Sequence, residues 1–248
     1  MSTIYILWLR AVKKYFRSKS RMVGSLGQPA LFLIVFGFGF GSIYQRAGEG
    51  NYIQFLAPGI ILMSVLFTGI FSGIDLIWDK QFGILKETLV APVPRLHIMI
   101  GRTVGGATVA TIQGVIVFFL TLLVGFKPDN IYMLIPAFII IFLVAILFTA
   151  LGTAIASMLE DMQGFQLIMN FLVMPIFFLS GALFPLKDAP SFIMGIAKFD
   201  PLTYGIDGLR AALISQSRFG LTLDFTILIT LTVLLLVIGS FLFERIKS

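Results

Sequence analysis

Cysteine is absent from the 248 residues. Disulfides, thiolate metal sites and cysteine nucleophiles are thereby excluded. Histidine occurs once, as His97. A lone imidazole with no second imidazole or thiolate assembles no metal site, and no cofactor or metal is expected on this chain. Charge is also scarce: 12% of residues are Asp, Glu, Lys or Arg, against 58% hydrophobic. Soluble domains carry about 25% charged residues. Half that share leaves too little polar surface to cover a water-soluble globule. A soluble enzyme, a disordered regulator and a nucleic-acid binder are therefore disfavoured. The net charge of +6 points to anionic lipid and membrane orientation rather than to nucleic acid. The phosphate-loop pattern G-x-x-x-x-G-K-S/T is missing, so ATP has no binding route of that kind here. No serine has a plausible base partner, which leaves a membrane hydrolase without its nucleophile.

What is present is long apolar sequence. Six stretches without Asp, Glu, Lys or Arg lie between Arg21 and Arg46, Glu49 and Asp75, Arg102 and Lys127, Asp129 and Glu160, Asp161 and Lys187, and Asp224 and Glu244. Each approaches or exceeds the roughly 20 residues that a helix needs to cross a bilayer. Runs such as Leu134–Leu151 and Phe225–Phe243 lack the two-residue alternation of an outer-membrane barrel. An all-α integral membrane protein with six spans is predicted, near 26–44, 54–77, 99–124, 132–157, 163–184 and 224–243. A cleaved signal is not expected, because a long basic segment precedes the first apolar run and no small-x-small site follows it. Gly37–Gly41 and Gly101, Gly105 and Gly106 read as close-packing points between helices.

The basic residues orient the six spans. The first polar segment, the loop between spans two and three, and the last residues together hold twelve of the eighteen Lys and Arg, including Lys80, Lys86, Arg95, Arg102, Arg245 and Lys247. The other side holds Arg46, Lys127, Lys187, Lys198, Arg210 and Arg218. The positive-inside rule puts both ends in the cytoplasm. No span carries a charge near its middle; Asp75 lies about one turn from an inner end, and Glu160 and Asp161 sit at a turn where they can cap helix starts. That argues against proton relays, voltage sensors and most ion-coupled carriers.

Three further segments are too polar or interrupted to span. In 3–21, Ile4, Trp8, Ala11 and Tyr15 share one helical face and Arg10, Lys13, Lys14, Arg17 and Arg21 the other. This suits an interfacial helix with its rings among acyl chains, or a plain orienting anchor. In 79–95, DKQFGILKETLVAPVPR, the residues Ile84, Leu85, Leu89 and Val90 form one side of a short helix that Pro92 and Pro94 end. Such a helix either docks into a groove on another protein or lies on the bilayer. The segment 187–223 splits at Asp200-Pro201 into Ala189–Ala197 and Leu202–Ile214, each too short to span. It reads as a re-entrant helical hairpin, with an amphipathic surface loop as the alternative. One membrane domain accounts for residues 1–248.

The run Asp79 to Pro92, with Gly83, Leu85, Glu87 and Leu89, resembles the coupling-helix signature of ABC-2 type exporter permeases, followed by Arg95 and Gly101-Arg102. Gln28-Pro29 and the Tyr52, Phe55, Pro58-Gly59 pattern are similar to the daunorubicin-resistance branch of that family. Phe184-Pro185, Asp200-Pro201-Leu202-Thr203-Tyr204 and Leu209-Arg210 resemble its outer segment, with Asp200 where Asn is usual. The resemblance implies a six-helix subunit in the plasma membrane, paired with a second permease copy or paralogue. It also implies a separate ABC ATPase subunit, with ATP and Mg on that partner, and outward movement of a drug, lipid or other amphipathic substrate. Asp79, Gly83, Ile84, Leu85, Glu87, Leu89 and Pro92 are then the ATPase-coupling residues, with Glu87 as the polar contact and Ile84, Leu85 and Leu89 as groove-filling anchors. Pro185, Asp200, Pro201, Tyr204 and Arg210 are the outer gate or structural residues, with Tyr204 as an interfacial anchor. An ATP-independent secondary transporter or channel is the alternative.

Overall fold

A computed structural model describes residues 2–46, 50–90 and 93–244. Pro92, Arg245 and Lys247 lie outside the described residues, as do the side chains of Arg21, Lys86, Leu89, Val90 and Asp188. Among the described residues the chain is helical throughout, without a strand. The order is α1 (Thr3–Arg17), α2 (Lys19–Gly39), α3 (Gly41–Arg46), α4 (Tyr52–Phe71), α5 (Ile74–Gln81), α6 (Ile84–Val90), α7 (Arg95–Val124), α8 (Leu134–Met158), α9 (Met162–Leu179), α10 (Ser191–Ala197), α11 (Pro201–Ile214) and α12 (Leu221–Glu244).

Six helical stretches are long and apolar enough to cross a membrane: Met22–Gly39, Tyr52–Gln81, Arg95–Val124, Ile131–Met158, Met162–Leu179 and Leu221–Phe243. They match the six expected spans in number and order, though the first ends at Gly39 and not at 44, and the fifth at Leu179 and not at 184. The third starts at Arg95, four residues before the expected 99, because nothing in Arg95–Ile98 opposes helix once Pro94 has set the entry. The second is interrupted: α4 ends at Phe71 and α5 begins at Ile74, with Ser72 and Gly73 between them. Side chains cap the starts where a polar residue allows it. Asn51 accepts from the Ile53 amide at 2.9 Å, and Asp161 accepts from the Gly164 amide, each satisfying an N–H with no partner inside its helix. The main-chain oxygen of Glu160 accepts from the Gln81 side chain at 3.3 Å.

The core is the α4–α7–α8 packing, with α4 buried along most of its length. Without a hydrophobic drive between helices in lipid, close approach through small residues supplies the van der Waals contact. A Cβ on Gly73 would fall 2.5 Å from the Gly152 carbonyl oxygen, and one on Gly152 would overlap the Ile70 carbonyl. A Cβ on Gly106 would meet Ser72 and Thr149, and one on Gly114 would meet Val65. The break after α4 is therefore seated backbone to backbone on α8. Gly101 and Gly105 bring α7 against Ile4, Leu7, Trp8 and Ala11 of α1. Of the Gly37–Gly41 set, only Gly37 meets a neighbour, Ile53; Gly39 and Gly41 face open space and are not packing points within this chain.

That contact corrects the reading of α1. The rings on its apolar face, Trp8 and Tyr15, are held by α7, while Tyr5 and Phe16 are exposed. Trp8 Nε1 donates to Thr108 Oγ1 at 3.0 Å, and the buried Tyr15 hydroxyl donates to Gln113 Oε1 at 2.6 Å. Burial raises the Tyr15 phenol above its ordinary pKa, which keeps it a donor. A helix that resembles a surface anchor by pattern is thus docked on α7, because α7 offers both glycine hollows and polar acceptors.

Candidate functional site

Two polar clusters stand out, one at each end of the bundle. The first surrounds α5. Asp79 is buried; Arg10 of α1 donates to both its oxygens, to Oδ1 at 2.9 Å and to Oδ2 at 3.3 Å, and Arg102 of α7 also donates to Oδ2. One carboxylate thus holds three helices, with the bidentate geometry that makes Arg–carboxylate pairs strong. The next residue, Lys80, turns the other way. Its Nζ donates to the carbonyls of Ala156, Ser157 and Leu159 at 3.0, 2.7 and 2.9 Å. These belong to the C-terminal turn of α8, where carbonyls lack helical partners and the dipole favours a cation. Lys14 adds a pair to Asp75 at 2.7 Å. Adjacent side chains of α5 therefore tie it to α1, α7 and α8 together.

Beyond this clamp the chain turns at Phe82-Gly83, where Gly83 has φ +76°. That region of backbone space favours glycine, and it reverses the chain into α6. Trp78 and Phe82 stack with centroids 5.0 Å apart and planes 11° apart. Both are exposed, and so are Ile84 and Glu87. An apolar patch with one acid thus stands at the tip of a rigidly held stem.

The second cluster binds α11 to the far end. Asp200 caps α11 by accepting from the Leu202 amide at 2.9 Å, and Pro201 opens the helix. The Tyr204 hydroxyl donates back to the Lys198 carbonyl at 2.8 Å, closing the corner between α10 and α11. Arg210 donates to the carbonyls of Gly181 at 2.8 Å and Phe55 at 3.2 Å, and its guanidinium lies 3.7 Å from the Phe55 ring centroid. Tyr52 donates to the Leu183 carbonyl at 2.7 Å beside it. Asp207 accepts from the amides of Arg218 and Phe219 and the Ser217 hydroxyl at 2.9–3.0 Å, ordering the turn into α12. Neighbours give the depth of α11. A Cβ on Gly205 would meet Val144 and Leu62. Val144 lies ten residues into α8, about 15 Å along its axis at 1.5 Å per residue. The helix therefore enters the bundle and does not lie over it.

The family model for ABC-2 type transporters matches residues 2–214. The chain belongs to the ABC-2 type transporter family. It is similar along its length to named transport permeases. A transport permease named ycf38 from Cyanophora paradoxa is 29% identical, covering 98% of this chain and 88% of that protein. The inner membrane transport permease YadH of Escherichia coli strain K12 is 25% identical, covering 96% and 93%. Nodulation protein J of Rhizobium leguminosarum bv. viciae is 24% identical, covering 97% and 91%. The protein is thus a multi-pass membrane transport subunit of the ABC-2 type.

In this ABC-2 permease the expected coupling residues do not share one surface. Gly83, Ile84 and Glu87 stand at the exposed tip. Leu85 is 2% exposed and packs into the chain's own core, so it supports α6 instead of anchoring a partner. Asp79 is likewise internal, engaged by two arginines. Leu89 lies on α6 with its side chain outside the described residues, and so does all of Pro92. At the other end of the bundle Pro185 opens a single 3-10 turn, Leu186–Asp188, and Tyr204 is buried at the hairpin corner, not at an interface. His97 is exposed in the first turn of α7. Sequence reasoning missed Trp78 and Phe82, although aromatics four apart at a helix end were a usable signal. It also missed Lys80, whose partners are main-chain oxygens that no side-chain pattern advertises.

Proposed function

We propose that this permease is the membrane half of an ATP-driven exporter, with ATP and Mg bound by a separate ABC ATPase subunit. A second permease copy or paralogue completes the path, and the cargo is an amphipathic drug or lipid. The observation that carries this reading is the exposed Trp78–Phe82–Ile84–Glu87 tip on a stem clamped to three bundle helices. A partner that grips the tip moves α1, α7 and α8 as well, because direct side-chain links from α5 to each of them transmit displacement. The lack of a phosphate loop fits a motor on another chain. The α10–α11 hairpin is then the outer gate, hinged at Asp200-Pro201 and held by Tyr204 and Arg210. Termini are cytoplasmic in the cell membrane, on the excess of Lys and Arg at that side.

The double substitution Trp78→Asp with Phe82→Asp is expected to weaken retention of the ATPase subunit at least thirtyfold, as aromatic anchors commonly contribute ~2 kcal/mol or more. Both side chains are exposed, so the permease itself should purify normally. Copurification and ATP-driven export from vesicles are the measurements. Unchanged retention would remove the tip as the docking element. Export by the isolated chain in liposomes free of any ATPase would overturn the whole reading. For orientation, a cysteine at the exposed Ser191 should react with an impermeant maleimide from outside only. The chain's lack of cysteine makes that label unambiguous, and labelling only from the cytoplasm would reverse the topology.

A further inference from the structure

A cleft of about 410 Å³ opens beneath α1, walled by α2 and α4 and floored by α7. Its volume falls within the ~300–1,000 Å³ usual for small-molecule sites. Most of the lining is apolar, with Pro29 of α2, Met63, Phe67 and Phe71 of α4 and Val109 of α7, interrupted by Gln28 of α2 and by Ser64 and Thr68 of α4. The part-exposed Lys14–Asp75 pair stands at its rim. At the cleft α2 stands away from the bundle. A methyl placed on Gly24, which lines the cleft, would meet no atom within 4 Å.

The charge around the mouth is one-sided. The two nearby carboxylates are already engaged, Asp75 by Lys14 and Asp79 by Arg10 and Arg102. Lys13, Arg17 and Lys19 line an adjoining hollow that shares Lys14 with the cleft. They have no carboxylate partner among the described residues. We infer that the cleft beneath α1 binds an anionic membrane lipid, one acyl chain against Phe67 and Phe71 and the acidic head group at the rim between Lys13 and Arg17. An apolar slot leading to a basic rim is the complement of such a molecule. A zwitterionic lipid gains the slot but not the rim, and a free phosphate gains the rim but not the slot. The inference rests on the orientation given above for the leaflet that supplies the lipid, and on nothing else in the exporter reading.

The test is photocrosslinking of the full chain in nanodiscs of phosphatidylcholine with a minor fraction of phosphatidylglycerol. Benzoylphenylalanine replaces Phe67 in one preparation and Phe138 in another. Phe138 lies on the exposed side of α8 and reports bulk lipid. Mass spectrometry should find phosphatidylglycerol enriched roughly fivefold over its share of the disc at position 67, on the scale of one juxtamembrane cation's pull, and unenriched at 138. Lys13→Gln with Arg17→Gln should return the ratio at 67 to that of the disc. Gly24→Leu, which fills the cleft, should suppress adducts with either lipid at 67 while those at 138 persist. Excess inorganic phosphate should leave the adducts in place. Equal ratios at the two positions, a ratio indifferent to the double Gln variant, no adduct at 67, or displacement by phosphate alone would each overturn the site. No ATPase or nucleotide is present, so failure here is separable from failure of the exporter reading.

Discussion

Gly152→Leu is expected to prevent the bundle from closing, with the largest loss of stability of any single substitution considered. The Cβ alone overlaps the Ile70 carbonyl, an atom of the α4 backbone that no rotamer change can move aside. The three remaining carbons would enter the same seam, where Gly73 approaches Gly152 and Gly106 approaches Thr149. Overpacking a close-packed core commonly costs about 1–3 kcal/mol where side chains can yield. Here a main chain must yield, so the cost should lie above that range. The measurement is the fraction of monodisperse protein after extraction and its thermal unfolding midpoint in detergent. Gly24→Leu is the matched control, since its Cβ meets no atom within 4 Å and the rest of the side chain has the cleft to occupy. Equal behaviour of the two variants would mean that the α4–α8 seam does not set the fold.

Asp79→Leu is expected to be nearly as damaging, by an electrostatic route. Removing the carboxylate strands the Arg102 guanidinium, whose side chain is 11% exposed. Breaking one partner of a buried pair costs about 3–5 kcal/mol, chiefly because the remaining charge is uncompensated. Arg10 is 44% exposed and turns to water at little cost. The double variant Asp79→Leu with Arg102→Met should therefore recover most of the stability, and Asp79→Leu with Arg10→Met should not. Export should fail in both double variants even where the protein is stable, because α5 loses its tie to α7 and keeps only the part-exposed Lys14–Asp75 pair to α1. ATP-driven export per folded transporter in vesicles separates the two effects. Full export by the stable double variant would show that the Asp79 link is only structural.

Much of this architecture can be read from the chain because lipid imposes so narrow a vocabulary. A charge-free run long enough to cross must be a helix, since no other open structure satisfies its own backbone there. The six spans, the short helix after Gly83 and the hairpin broken at Asp200-Pro201 all follow from charge spacing, glycine and proline. The side-chain positions within the clusters follow less well. Periodicity told which residues of α1 share a face but not whether lipid or α7 lies opposite. The decisive features were Gly101 and Gly105 on α7, distant in sequence. Leu85 was misplaced for a similar reason: in a helix of seven residues, the inward and outward faces are each one or two side chains wide. Asp79 belongs to the family pattern, yet its partners Arg10 and Arg102 lie 69 and 23 residues away.

The grips made by Lys80 and Arg210 have one more consequence. Each cation holds main-chain carbonyl oxygens: those of residues 156, 157 and 159 for Lys80, and of 55, 181 and 182 for Arg210. Every residue type supplies that oxygen. Drift at the accepting positions therefore leaves both attachments standing, whereas loss of either cation has no compensating change available elsewhere. Pairwise covariation among homologues, which reports contacts between side chains that change together, will be silent about two of the strongest tethers in the molecule.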